Sequence, residues 1–164
     1  MNFAQAVNSG FRNALRFEGR SRRPEYWWFF LFVFLGAFAI GLIEHFALGG
    51  GQLLTRIFQL IVFLPFLAVA WRRLQDTGRP GWWVLVPSAV VIGSAVVAGS
   101  VSRQMVLRLV DSGMTPDSAN ITGAGGLLLF LSFLQIAAGG VLVWWMSRPS
   151  QRGANAYGPE PKVR

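Results

Sequence analysis

The chain has 164 residues, of which 53% are hydrophobic and only 13% are charged. Soluble globular domains carry about 25% charged residues, and the long uncharged runs of this chain exclude a single soluble domain. The absence of cysteine excludes disulfides, thiolate metal sites and cysteine nucleophiles. The net charge is +8, but the basic residues flank apolar runs, which weighs against nucleic-acid binding.

The first predicted element is a short amphipathic helix in the N-terminal arm. Its apolar residues repeat at helical spacing: Phe3, Val7, Phe11, Ala14 and Leu15. Arginines 12 and 16 lie beside this apolar stripe, so the pattern predicts a helix in the headgroup layer of a membrane. A loose polar arm that happens to carry two phenylalanines stays the alternative.

Four apolar runs follow, each long enough to cross a membrane. A hydrocarbon core of about 30 Å needs roughly 20 helical residues. The predicted spans are residues 26–43, 53–71, 82–101 and 126–146. The second span is free of charge only from Ile57, so starting it at Leu53 takes Arg56 into the helix near its outer end. There the arginine side chain can reach the headgroups.

Basic residues are concentrated at one end of these spans. Twelve of the 15 Lys and Arg residues lie in the arm, in the middle loop between the second and third spans, or in the tail; with four acids, that end carries +8. The other two loops carry three arginines and three acids and are neutral. Because cytoplasmic loops are the ones enriched in Lys and Arg, we expect both termini in the cytoplasm.

The fold prediction is therefore an all-α integral membrane protein with four transmembrane helices, cytoplasmic N- and C-termini, and a short N-terminal amphipathic interfacial helix. Its predicted organisation has three parts: a basic cytoplasmic arm (1–25), a four-helix transmembrane domain (26–147) and a basic cytoplasmic tail (148–164).

Three polar and aromatic motifs occur at the basic end: the arm motif (17–28, FEGRSRRPEYWW), the loop motif (71–83, WRRLQDTGRPGWW) and the tail motif (155–161, NAYGPEP). They contain the candidate interface residues: Arg20, Arg22, Arg23, Glu25, Trp27, Arg72, Arg73, Asp76, Gly78, Gly81, Trp82, Trp83, Asn155 and Tyr157. These residues either pin the segments together or bind lipid phosphates through arginine forks. Pinning is favoured, because basic and aromatic belts are common in membrane proteins.

The loop motif is predicted to form a tight turn, since only residues 72–81 separate the second and third predicted spans. Its glycines and proline supply the turn chemistry. Asp76 is the one acid among the arginines of this motif. We expect it to cap the third helix or to pair with Arg20, Arg22 or Arg23 of the arm.

Taken together, the three motifs resemble a family of small, uncharacterised bacterial inner-membrane proteins typified by YhaH and defined by a domain of unknown function. The resemblance runs from about Arg16 to Pro161, and the spans between the motifs match only as apolar filler. Two residues depart from the family pattern: Gln75, where histidine is frequent, and Pro80, where serine is common. A protonation role of that histidine in relatives would not carry over to this chain. The resemblance implies a multi-pass location in the bacterial inner membrane and no established activity.

Catalytic, cofactor and metal sites are not predicted. His45, the single histidine, follows Glu44 at the outer end of the first span. A hydrolase that paired His45 with Ser100 or Ser102 would need an oriented base and an oxyanion hole, and the sequence indicates neither. One His and one Glu are too few ligands for a metal site.

The predicted function is non-enzymatic. We expect the basic and aromatic cytoplasmic interface to bind anionic lipid headgroups or a membrane-protein partner, and a homo-oligomeric contact stays open. Nucleic acid is not an expected partner. The alternative is a small transporter or channel subunit, which is less favoured because no acid lies in any predicted span, and ion coupling usually needs an ionisable group inside the membrane.

Overall fold

The computed structural model describes residues 1–111 and 118–161. The described chain consists mainly of helices: α1 (Phe3–Arg12), α2 (Arg23–Ala47), α3 (Leu53–Asp76), a short 3₁₀ helix (Gly81–Val84), α4 (Leu85–Asp111) and α5 (Ser118–Ser147). Four helical segments of the described chain are long and apolar enough to cross a membrane: Arg23–Ala47, Leu53–Asp76, Gly81–Arg108 and Gly123–Ser147. These segments confirm the predicted all-α architecture with four spans.

Most helices extend beyond the predicted spans. α3 begins at Leu53 as predicted but continues to Asp76 instead of ending near Trp71, so the connection to the 3₁₀ helix shrinks to residues 77–80. The predicted tight turn is therefore present but shorter than residues 72–81, because the predicted end of the second span near Trp71 was wrong. Arginine, leucine and glutamine are good helix formers, and the helix stops only where Gly78 adopts a positive φ of 79°.

The chain forms two compact units, and the first contains Met1–Trp83 together with the segment that starts at Met146. Its buried apolar residues include Phe29 on α2 and Ala68, Val69 and Leu74 on the second half of α3. The second unit is Val84–Trp145, which holds α4 and most of α5. Many of the large apolar side chains on α2 to α5 are exposed, as expected for helices whose solvent is lipid.

Helix α1 starts with a capping box. The side chain of Asn2 accepts a hydrogen bond from the backbone N–H of Gln5, and the side chain of Gln5 accepts one from the backbone N–H of Asn2. One side of α1 packs on α2: the Phe3 ring lies 6.0 Å from that of Trp28, and the Phe11 ring lies 5.6 Å from that of Phe29. Close approach requires Gly10, because a Cβ there would overlap the Phe29 ring.

α1 ends at Arg12, so Ala14 and Leu15 of the predicted stripe lie beyond it, and Leu15 is exposed.

Helices α2 and α3 pack side by side through aromatic rings. The ring of Phe66 lies 5.8 Å from that of Tyr26 and 6.5 Å from that of Phe29, while Phe32 and Phe58 meet at 6.1 Å. Tyr26 near the start of α2 contacts Phe66, whereas Phe32 further along α2 contacts the earlier residue Phe58. The two helices therefore run antiparallel. The start of α2 and the end of α3 therefore lie together, and this places the arm motif beside the loop motif.

Candidate functional site

Asp76, the last residue of α3, joins the arm motif to the loop motif. Its Oδ1 accepts a hydrogen bond from Nε of Arg20 at 2.9 Å, and its Oδ2 accepts one from Nη1 of Arg73. All three side chains are buried, with exposures of 1% for Arg20 and 0% for Arg73 and Asp76. The predicted pairing of Asp76 with an arm arginine is confirmed, and its partner is Arg20. The carboxylate is taken by these two arginines and not by the start of the third span. We call these three residues the Asp76 cluster.

Arg73 also binds the end of α5. Its Nε donates to the carbonyl of Met146 at 3.1 Å, and its Nη2 donates to the carbonyl of Arg148. Carbonyls in the last turn of a helix lack partners within the helix, so a cation there both satisfies them and complements the helix dipole. Arg23 donates to the same Arg148 carbonyl at 2.8 Å. The end of α5 is thus held by one arginine from the loop motif and one from the arm motif.

Two further arm arginines hold the tail. Arg20 donates from Nη1 to the carbonyl of Gly153 at 2.5 Å and from Nη2 to the carbonyl of Gln151. Arg22 donates from Nη2 to the carbonyl of Pro161. The guanidinium fork of Arg20 therefore contacts the tail and Asp76 at once, so Arg20 links all three basic segments.

Two tail residues, Asn155 and Gln151, donate hydrogen bonds to the last backbone carbonyls of α3. Nδ2 of Asn155 donates to the carbonyl of Gln75 at 2.9 Å, and Oδ1 of Asn155 accepts from the backbone of Tyr157 at 2.9 Å. The backbone of Gln151 donates to the carbonyl of Asp76 at 2.9 Å. The Asn-x-Tyr spacing thus folds the tail into a turn that caps α3. Gln151 was missed by the sequence analysis, because nothing local distinguishes it from other tail residues.

An ion pair between Glu25 and Arg72 links α2 to α3, and a hydrogen bond from Ser9 attaches α1 to it. Oε1 of Glu25 lies 3.7 Å from Nη2 of Arg72 and accepts a hydrogen bond from Oγ of Ser9 at 2.8 Å. Nε of Arg72 donates to the carbonyl of Ala68 one turn earlier. Glu25 and Arg72 are both buried, so Glu25 neutralises Arg72 and also fixes α1. Ser9 was not predicted as a site residue.

The glycines of the loop motif have distinct structural roles. Gly78 has a φ of 79°, which favours glycine because it has no Cβ. At Gly81, a Cβ would overlap the indole ring of Trp71, so only glycine lets the chain pass this ring. Both glycines belong to the turn, as the sequence analysis expected, and neither points to a ligand.

The tryptophans of the motifs lie outside the Asp76 cluster. Trp82 and Trp83 lie on the 3₁₀ helix with exposures of 53% and 36%, and their rings meet at 6.2 Å. Trp27 packs on Tyr26, with ring centroids 5.4 Å apart. The tryptophans therefore leave aromatic surface uncovered at this end of the chain, whereas the arginines of the cluster are enclosed.

The other end of α2 holds a buried acid that sequence reasoning placed outside the spans. Glu44 lies inside α2 with 3% exposure. Glu25 and Asp76 also lie within helices long enough to span, which corrects the expectation that no acid lies in a span. Glu44 accepts from the backbone of Leu54 at 2.5 Å and from both the backbone and the hydroxyl of Thr55. α3 has no side-chain cap of its own at Gln52, so Glu44 caps α3 from a neighbouring helix. His45 is exposed, and its ring lies 4.9 Å from that of Phe46.

The Asp76 cluster connects the arm, the middle loop and the tail through hydrogen bonds. Its carboxylate accepts hydrogen bonds from two guanidinium groups, so the cluster keeps one positive charge in excess. Backbone carbonyls accept hydrogen bonds from the other nitrogens of both guanidinium groups. Within the described residues there is no group of three His, Cys, Asp or Glu side chains that could hold a metal ion.

The arrangement of motifs can be compared with known proteins. A family model described as Protein of unknown function (DUF805) matches residues 14–159, which include the whole arm and loop motifs and the tail motif as far as Pro159. This chain belongs to that family. The family match begins after α1, so the helix that packs on α2 precedes the matched region.

Two curated relatives support the DUF805 assignment. Inner membrane protein YhaH of Escherichia coli K12 is 40% identical over 90 residues, covering 52% of this chain and 74% of YhaH. Inner membrane protein YhaI of the same strain is 40% identical over 88 residues, covering 52% of this chain and 73% of YhaI. No solved structure matches the chain. With its four spans, this DUF805 protein is a multi-pass inner-membrane protein.

Proposed function

We propose that this protein is a non-enzymatic four-span membrane protein whose cytoplasmic face binds anionic phospholipid headgroups. In this proposal both termini are cytoplasmic, residues 1–25 and 148–164 form one cytoplasmic layer over the transmembrane domain (26–147), and α1 lies in the headgroup region. The buried arginines hold that layer together, and the exposed ones bind lipid.

Support for the orientation comes from the charge distribution. The arm, the middle loop and the tail carry twelve of the 15 basic residues, and the Asp76 cluster ties these three segments to one another. Segments joined in this way must lie on the same side of the membrane. The positive-inside rule assigns the basic side to the cytoplasm.

The observation that carries the lipid proposal is the charge left over at this end. Asp76 offsets one of the two charges of Arg20 and Arg73, and Glu25 offsets the charge of Arg72. Several other arginines of the arm and tail are exposed: Arg12, Arg16, Arg23 and Arg152. Each basic residue near an anionic leaflet contributes about 1 kcal/mol of attraction, so this surface favours anionic over zwitterionic lipid.

A lipid-competition experiment tests this proposal. The protein is placed in nanodiscs with equal amounts of phosphatidylglycerol and phosphatidylcholine, and the lipids that it retains are counted by native mass spectrometry. We expect excess phosphatidylglycerol on the wild type and less on an Arg16→Gln/Arg152→Gln variant. The matched control, Arg103→Gln/Arg108→Gln, removes the same charge from the other end. Equal retention of both lipids by the wild type would refute the proposal.

Orientation can be tested separately, because the chain contains no cysteine. Single cysteines at Ala154 in the tail and at Gln52 before α3 report the two ends, since both positions are exposed. In intact spheroplasts, a membrane-impermeant maleimide should label Gln52→Cys and spare Ala154→Cys until the cells are lysed. Labelling of Ala154→Cys in intact cells would overturn the cytoplasmic assignment.

One observation bears on the transporter alternative: Glu44 is an acid buried within a span. Its carboxylate is used to cap α3 through three hydrogen bonds, which favours a structural role over ion coupling. Ion flux into proteoliposomes above that of empty liposomes would reverse this preference. A serine-directed activity probe should label neither the wild type nor a His45→Ala variant, and labelling of the wild type alone would favour an enzyme.

A further inference from the structure

An open cavity of about 730 Å³ lies between α1, the start of α2 and the tail. Its wall on α1 includes Asn8, Ser9 and Arg12, and its wall on α2 includes Arg22 and Glu25. All of these residues belong to one compact unit. Small-molecule sites in proteins usually have volumes of about 300–1,000 Å³, so the cavity has the size of a ligand site.

The charge inside the cavity is positive. Glu25 is the one acid of its wall, and Arg72 lies behind it at 3.7 Å. Nη2 of Arg72 forms no hydrogen bond within the described part of the chain, so its charge is directed to Glu25. Because Glu25 pairs with Arg72, the two arginines of the wall, Arg12 and Arg22, have no carboxylate partner among the described residues. An anion entering the cavity would meet two guanidinium groups.

Hydrogen-bond donors are also available there. Ser9 is committed to Glu25, and the amide of Asn13 donates to the Ser9 carbonyl at 2.9 Å. Asn8 lies four residues before Arg12 on α1, so the two side chains are neighbours on one helix face. Arg22 uses Nη2 to hold the Pro161 carbonyl, and its other nitrogens remain for a ligand.

We propose that this cavity binds a phosphate group through Arg12, Arg22 and Asn8, with the phosphate carried by a phospholipid headgroup or by a soluble phosphate ester. Arginine forks match the oxygens of phosphate and bind them with short, charge-assisted hydrogen bonds. α1 packs on Trp28 and Phe29 of a membrane-spanning helix, so the cavity lies close to the membrane boundary and the lipid is the expected source. This inference rests on the proposed lipid-binding function and assigns it a defined site.

The test uses the full-length protein in maltoside micelles, which contain no phosphate. Binding of a short-chain phosphatidylglycerol and, separately, of glycerol 3-phosphate is measured by titration calorimetry. Arg12→Gln should weaken phosphatidylglycerol binding roughly tenfold or more, because one charge-assisted contact is lost. Arg16→Gln removes the same charge outside the cavity and should weaken binding about two- to threefold through diffuse electrostatics alone. Arg103→Gln at the other end should bind as the wild type does.

Each outcome decides the inference. A large selective effect of Arg12→Gln on phosphatidylglycerol, repeated by Asn8→Leu, supports a headgroup site. The same selectivity for glycerol 3-phosphate, without phosphatidylglycerol binding, supports a phosphate site filled by a soluble ester. Equal weakening by Arg12→Gln and Arg16→Gln overturns the cavity and leaves the lipid-binding proposal standing. If the wild type binds neither ligand, the cavity site is overturned, and the nanodisc experiment decides the wider proposal on its own. Unchanged melting of the Arg12 and Asn8 variants confirms that they fold.

Discussion

Asp76→Asn tests whether the three basic segments are held by one buried carboxylate. The substitution keeps the size and shape of the side chain and removes only its charge. Asp76 accepts hydrogen bonds from Arg20 at 2.9 Å and from Arg73. The asparagine would leave two buried guanidinium groups facing a neutral amide, and its NH₂ group would point donors at one of them.

The magnitude follows from burial. An exposed ion pair contributes about 0–1 kcal/mol, whereas removing one partner of a buried pair costs about 3–5 kcal/mol, because the remaining charge is left buried and unpaired. The exposures of 1% and 0% place this cluster in the buried class. Both arginines keep backbone carbonyls as partners, Arg20 that of Gly153 in the tail and Arg73 that of Met146 in α5. We therefore expect the lower end of that range, about 3 kcal/mol or roughly a hundredfold in the folded-to-unfolded ratio.

The free energy of unfolding is measured by titrating the protein in maltoside micelles with SDS and following tryptophan fluorescence. Trypsin provides a second readout, because loss of the cluster should release the tail and expose the bond between Arg152 and Gly153. The control variant is Glu18→Gln, which removes an acid from the exposed part of the arm and should change stability by less than about 0.5 kcal/mol.

A loss below 1 kcal/mol for Asp76→Asn, indistinguishable from Glu18→Gln, would refute this reasoning. It would mean that water reaches the carboxylate and that the arm, loop and tail are held mainly by their backbone hydrogen bonds.

Three further predictions concern other contacts of the first unit. Gly10→Ala should displace α1 from α2 and cost about 1–3 kcal/mol, seen as faster amide exchange in α1, whereas Gly41→Ala, where a Cβ meets nothing within 4 Å, should be neutral or stabilising. Asn155→Ala should cost about 1–2 kcal/mol, since it removes hydrogen bonds to the end of α3 and within the tail turn, and should speed tryptic cleavage of the tail. Glu44→Gln should lower the free energy of unfolding by about 1–2 kcal/mol, because it removes a charged cap from α3, whereas His45→Ala should leave it unchanged.

Each of these predictions has a clear contrary result. Slow α1 exchange in Gly10→Ala would mean that the Phe29 ring moves aside without cost. An intact tail in Asn155→Ala would assign tail docking to the arginines alone. Equal stability of the Glu44→Gln and His45→Ala variants would show that the start of α3 needs no charged cap.

Sequence patterns by themselves determined the class of this protein, its four spans and the three motifs at the basic end. The reason is that a membrane imposes a local rule: each span must be apolar over about 20 residues, and its flanking charges record its orientation. Local rules were less reliable at the helix ends. α3 runs through Arg72 and Arg73 to Asp76, because these residues are buried by partners distant in the chain.

Only the tertiary structure decided which charges meet. The sequence offered Asp76 three arm arginines, and it pairs with Arg20 because the antiparallel packing of α2 and α3 brings the two segments together. Arg22 binds a tail carbonyl that lies 139 residues away in the sequence. Glu44 caps α3 through a residue that lies 10 positions further along the chain and in another helix. Periodicity and composition report how each segment meets its solvent, whereas these pairings depend on which segments touch, and that is settled only when the helices pack.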